Sequence, residues 1–170
     1  MLETLARRPR TRGTAGDIEI PDKDRHAVVE ILNRLLSDEY VLYTKTRNFH
    51  WNVTGPQFND LHKFFEGQYE ELNDFIDDIA ERARQLGGRA FGSLAEFTKT
   101  ARLTEQPGTV PSAKEMLATL LTDHEAVIRT VRSEITPVAD RYKDIGTSDF
   151  LTGLLEKHEK MAWMLRSFAG

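Results

Sequence analysis

The chain of 170 residues contains no cysteine. That excludes disulfides, thiolate metal sites and cysteine nucleophiles together, so any metal must be held by carboxylate oxygen and imidazole nitrogen. The sequence also lacks an apolar run near the roughly 18–20 residues needed to cross a bilayer. The arginines near its start are not followed by an apolar stretch. No secretory or twin-arginine signal is therefore expected, and the expected location is the cytoplasm. Internal repeats are lacking, as are segments with the two-residue period of a strand. Net charge is only −4, which excludes a broadly basic body built to grip nucleic acid.

What remains is an ordinary globular mix, 39% hydrophobic and 29% charged, in a length that suits one domain with one core. Residues 1–20 read as a flexible basic tail, with Arg7, Arg8, Arg10 and Arg12 set among Thr, Pro and Gly. Residues 21–170 read as a single helical domain. Pro21, Asp22 and Asp24 mark the start of a first long helix, about 24–52, with Val28, Leu32, Leu35, Leu42 and Phe49 near one stripe. A second, about 57–86, opens after Thr54-Gly55-Pro56 and closes at Gly87-Gly88. A third, about 112–139, follows Pro111-Ser112, and Pro137 is expected to kink or end it. The fourth, about 147–168, carries Leu151, Leu154, Met161, Leu165 and Phe168. Two links are short and one, 87–111, is long, with room for a short helix near 93–100. That pattern is all-α: a four-helix bundle with one long crossover, the ferritin-like topology.

On a wheel with His62 at zero, the apolar residues of the second helix, Leu61, Phe65, Leu72, Phe75 and Ile79 among them, fall between about 220° and 320°. His62, Glu66, Asp77 and Glu81 fall near about 0°, 40°, 60° and 100°, a separate face. His62/Glu66 and Asp77/Glu81 are i, i+4 pairs, each able to grip one ion from successive turns, and imidazole with carboxylate suits iron, manganese or zinc. The 15 residues from His62 to Asp77 span about 22 Å of straight helix, while metal–ligand bonds are about 2 Å. One chain cannot bring both pairs to one ion. Two such helices running antiparallel across a two-fold axis can, twice per dimer. No Glu stands three residues before any of the five histidines, which disfavours a Glu-x-x-His di-iron site within the bundle. The plainer reading of the same face is a solvated helix surface, with His62/Glu66 a pair contributing a few tenths of a kcal/mol.

The stretch Phe49-His50-Trp51-Asn52-Val53, then Phe58, Leu61-His62, Glu66-Gly67, Asp77-Asp78-Ile79-Ala80-Glu81-Arg82 and Gln85-Leu86-Gly87-Gly88 resembles the signature of the Dps family, the mini-ferritins. The similarity extends from about residue 25 to 168 and includes Trp163-Met164-Leu165. The resemblance implies a homo-dodecamer of ferritin-like bundles that acts as a ferroxidase. Fe(II) would be oxidised at dimer interfaces, preferably by hydrogen peroxide, and stored as ferric oxide. It implies metal ligands His50, His62 and Glu66 from one subunit and Asp77 and Glu81 from its neighbour. The family often has Asp where this chain has Glu66. Trp51 is similar to the family's tryptophan beside the site, there to quench stray oxidising equivalents or simply to pack an interface.

Other residues carry two readings each. Glu71, Asp74 and Asp78 form a third, acidic face of the second helix, a nucleation surface for mineral if it lines the cavity and a solvated face otherwise. Asp140, Asp144 and Asp149 resemble the family's acidic three-fold pore, which would draw in Fe(II); the alternative is a polar connection with capping aspartates. His124 and His158 lie on apolar stripes and are expected to be core histidines with hydrogen-bond partners, while His26 shows no chemistry. Some members of the family condense DNA through basic tails. Here Arg7, Arg8, Arg10 and Arg12 would bind phosphate weakly one tail at a time, and together through avidity. An iron-oxidising store, a non-specific DNA-compacting protein and a structural helical assembly thus stand as competing classes.

Overall fold

Pro21 occupies the cap position of the first helix, with Asp22 and Asp24 in the first turn, where carboxylates favour the positive end of the helix dipole. The computed structural model describes residues 16 and 18–169. They form five helices: α1 Asp22–Asn52, α2 Phe58–Gln85, α3 Leu94–Thr100, α4 Ala113–Asp140 and α5 Ile145–Ala169. No strand is present among the described residues.

The boundaries have local causes. Gly87, in the left-handed region at φ 81°, ends α2. Its N–H bonds the Arg84 carbonyl and that of Gly88 bonds Ala83, which closes the last turn as a Schellman motif. Gly88 is needed for a different reason: a Cβ there would fall 2.4 Å from a Val29 methyl carbon, so α1 and the chain leaving α2 touch backbone to side chain. Ser93/Glu96 and Ser112/Glu115 form capping boxes that start α3 and α4. Asp144 accepts the Thr147 N–H at 2.9 Å, which places the start of α5 two residues earlier than the sequence suggests. Pro137 lies inside α4, which runs three residues past it to Asp140. At that distance from the helix end, the Arg141 and Tyr142 N–H groups still find the Pro137 carbonyl.

α1 packs along α2 and α4 along α5, giving two hairpins that meet mainly through α1 and α4. Glu125–Arg166 and Arg132–Glu159 pairs run in opposite sequence order, so α4 and α5 are antiparallel. Leu32, Leu42, Phe65, Phe75, Met116, Leu120 and Leu151 fill the core between them. Because α2, α3 and α4 all pack on α1, this helix has no single apolar stripe: Asn33, Asp38, Glu39, Lys45 and His50 are buried along with its leucines.

Three of those polar residues hold the crossover. The Asn33 amide donates to the Arg89 carbonyl and accepts the Phe91 N–H, both at 2.9 Å. Asp38 accepts the Arg102 N–H at 2.5 Å and its Nε–H at 2.7 Å. Lys45 donates to the Thr104 carbonyl at 2.7 Å and to Asp123 at 2.5 Å. Each of these three buried groups is satisfied within the chain, as the cost of an unpaired one demands.

Candidate metal centre

His50 lies in the last turn of α1 and His62 in the second turn of α2, facing each other across the hairpin. Their rings stack with centroids 3.8 Å apart and planes 21° from parallel. Each Nδ1 stands 2.8 Å from the other residue's backbone carbonyl. A carbonyl only accepts, so each Nδ1 must carry its proton. In the neutral ring that leaves the lone pair on Nε2. The hairpin therefore fixes both the orientation and the tautomer of two imidazoles, as backbone carbonyls do for metal-ligating histidines. His50 is buried and His62 half-buried.

Glu66 follows His62 by one turn and is half-buried, while Asp77 and Glu81 are exposed further along α2. Among the described residues no three His, Asp or Glu side chains lie close enough together to hold a metal ion. A single chain offers two separated sets of donors. Glu71 is half-buried and Asp74 and Asp78 exposed, on the solvent side of the same helix.

Beside the histidines lies a group that sequence reading missed. The Arg47 guanidinium sits over the rings of Trp51, Tyr69 and Tyr43, at 5.2, 5.5 and 5.8 Å, and donates to the Tyr43 hydroxyl at 2.6 Å. Tyr69 turns an edge to His50 at 5.2 Å. Burial first, and then the neighbouring Glu66, raise the Tyr69 pKa, so its hydroxyl keeps its proton. The i, i+4, i+8 spacing of Tyr43, Arg47 and Trp51 was the available signal. Trp51 itself is 64% exposed in the single chain.

The acidic trio splits. Asp140 and Asp149 are exposed, but Asp144 is buried, caps α5 and pairs with Arg82 at 3.1 Å. Within the single chain its carboxylate is bonded locally, as a capping aspartate is. His124 and His158 are core histidines that bond each other, Nδ1 to Nδ1, at 3.0 Å. Burial, then the adjacent His158, hold the His124 pKa well below the ordinary imidazole value. His26 is exposed. Arg7, Arg8, Arg10 and Arg12 lie outside the described residues. No helix among the described residues is long and apolar enough to cross a membrane.

Residues 29–170 match the family model of the ferritin-like domain. The chain is 49% identical over 152 residues to an uncharacterised low temperature-induced protein of Nostoc, covering 89% of this chain and 85% of that one. It is 38% identical over 141 residues to DNA protection during starvation protein 2 of Bacillus anthracis, covering 83% of this chain and 95% of that protein. Among solved structures, a Dps protein of Vibrio cholerae, described as a member of a broad superfamily of ferritin-like diiron-carboxylate proteins, superposes with a TM-score of 0.86. Its identity is 26%, over 96% of this chain and all of that one.

Proposed function

The chain belongs to the Dps family of ferritin-like proteins, and on that premise we propose that it is a ferroxidase. It oxidises Fe(II), preferably with hydrogen peroxide, and stores the product as ferric mineral inside a hollow homo-dodecamer. The observation that carries this reading is the reciprocal lock of His50 and His62, which leaves two Nε2 lone pairs free on the hairpin, with Glu66 one turn beyond His62 on α2. Asp77 and Glu81 of a second copy, on an α2 helix running the opposite way, complete the ligand set.

In this arrangement iron is the substrate. Imidazole nitrogen and carboxylate oxygen favour the higher charge of Fe(III), which lowers the barrier to losing an electron. Two Fe(II) supply both electrons that one peroxide needs, and with two protons the products are two Fe(III) and two waters. No one-electron step is left to release a hydroxyl radical. Trp51, close to His50 in sequence and exposed, is placed to take a stray oxidising equivalent or to pack against the second copy. Glu71, Asp74 and Asp78 nucleate mineral, and Asp140 and Asp149 attract Fe(II) at a pore. Protection of DNA follows from removing iron and peroxide together, in a cytoplasmic and nucleoid-associated setting. The tail arginines Arg7, Arg8, Arg10 and Arg12 are the proposed DNA contact.

Stopped-flow measurement of Fe(II) oxidation under peroxide tests the site. The variant His62→Ala with Asp77→Ala removes one ligand from each half and is expected to be slower by at least about tenfold. Oxidation at the native rate would remove these residues from the mechanism. A stable monomer that turns over iron at full speed would refute the shared site.

A further inference from the structure

The bundle interior carries a second group of imidazole and carboxylate side chains. Glu39 of α1, His124 of α4 and His158 of α5 are each 0% exposed. Glu39 precedes His50 by 11 residues, roughly 16 Å along α1. The group is therefore separate from the histidine pair at the hairpin tip.

Its two contacts are of different kinds. His124 and His158 meet Nδ1 to Nδ1 at 3.0 Å in hydrogen-bond alignment. On the other side of its ring, His158 Nε2 stands 2.9 Å from Glu39 Oε1. That distance suits an ion pair, yet both atoms lack a hydrogen-bond partner among the described residues, as do Glu39 Oε2 and His124 Nε2. The approach is close but out of line for an N–H···O bond. A carboxylate in a dry core that forgoes its hydrogen bonds loses its hydration for little return.

Two ligands of one divalent ion stand in just this relation. With bonds of about 2.1 Å and a right angle at the metal, donor atoms lie about 3.0 Å apart and aim at the ion instead of at each other. We propose that Glu39 and His158 bind a divalent transition-metal ion inside the bundle, with His124 orienting the His158 ring. Neutral His124 accepts the Nδ1–H of His158, and that fixes Nε2 as the ligand atom. Carboxylate with imidazole and no thiolate selects Fe(II), Mn(II) or Zn(II). Both Glu39 oxygens and His158 Nε2 lack hydrogen-bond partners, so these two groups offer three donor atoms to the ion. The absence of Glu-x-x-His does not bear on this pair, whose members come from separate helices. The ion joins the α1/α2 hairpin to the α4/α5 hairpin through Glu39 and His158.

Anomalous diffraction at the cobalt edge tests the assignment, using crystals of the assembled full-length protein soaked in Co(II). A peak about 2.1 Å from His158 Nε2 and from a Glu39 oxygen is expected. It should persist in the variant His62→Ala with Asp77→Ala, which separates this site from the one at the two-fold face. His158→Gln should abolish it. Should that variant fail to assemble, Glu39→Gln is expected to bind one Co(II) fewer per chain in solution. Native crystals with cobalt confined to the two-fold face, or with none in the bundle, would show that Glu39 and His158 are a buried ion pair only.

Discussion

Asn33, Asp38 and Lys45 on α1 are buried, and each is bonded to a segment outside its own helix. Glu66, Asp77 and Glu81 on α2, the other arm of the same hairpin, form no ion pair with any described residue. The same residue classes thus do opposite work on adjacent helices. A polar group inside the bundle must find its partner in the chain, because water cannot reach it. A row of carboxylates facing outward has no such need, because water solvates it.

One pair of variants tests that contrast most sharply. Asp38→Ala leaves the Arg102 N–H without its acceptor and the half-exposed Arg102 guanidinium to solvent, and should cost about 1–3 kcal/mol in denaturant-induced unfolding. Iron oxidation by the molecules that still assemble should be unchanged. Asp77→Ala should do the reverse, leaving chain stability within about 0.5 kcal/mol while slowing peroxide-driven oxidation at least about tenfold. Two variants with equal effects on both measurements would erase the distinction between the helices.

The helices were readable because their start and stop residues act locally. Gly87 must adopt a positive φ, and Ser93 and Ser112 must cap, whatever surrounds them. The amphipathic face of α2 was readable for a related reason, since one side meets the core and the other meets solvent. The polar positions of α1 were not. A wheel assumes one buried stripe, and a helix covered by α2, α3 and α4 buries Asp38, Glu39 and Lys45 as well. Asp144 illustrates the same limit at a loop: its distance from Arg82 in the chain conceals a pairing that exists only once α2 and α5 are docked. His50 and His62 stood out as residue types in a family pattern, but their locked tautomers depend on carbonyl positions that only the folded hairpin supplies.

Between the extremes lies the crossover helix α3, which is exposed yet bonded within the chain. The Arg89 guanidinium, then the Gly92 N–H, pull the Glu96 pKa from 4.5 to about 2. Between those values the unfolded chain binds more protons than the folded one, so stability rises with pH. The contribution is complete above about pH 4.5 and fades as pH falls toward about 2. Amide exchange, corrected for its intrinsic pH dependence, should show α3 losing protection from pH 5 to 3 while α2 keeps it. Glu96→Gln should remove the pH response. Equal behaviour of α3 and α2 over this range would mean that the cap does not hold the crossover.

The smallest effect should come from the acidic face of α2 itself. Glu71, Asp74 and Asp78 have no ion-pair partner among the described residues, so replacing all three by Gln or Asn should shift unfolding by no more than about 0.5 kcal/mol per site. Relief of like-charge crowding one turn apart makes the sign stabilising. If these carboxylates gather Fe(III) for mineral growth, the first oxidation of Fe(II) keeps its native rate while the lag before core growth lengthens. Absorbance followed after a small and then a large addition of iron separates the two phases. A triple variant with an unchanged lag would make this face a solvated surface, and would leave the outward carboxylates of Glu66, Asp77 and Glu81 as the ones that need a partner from outside the chain.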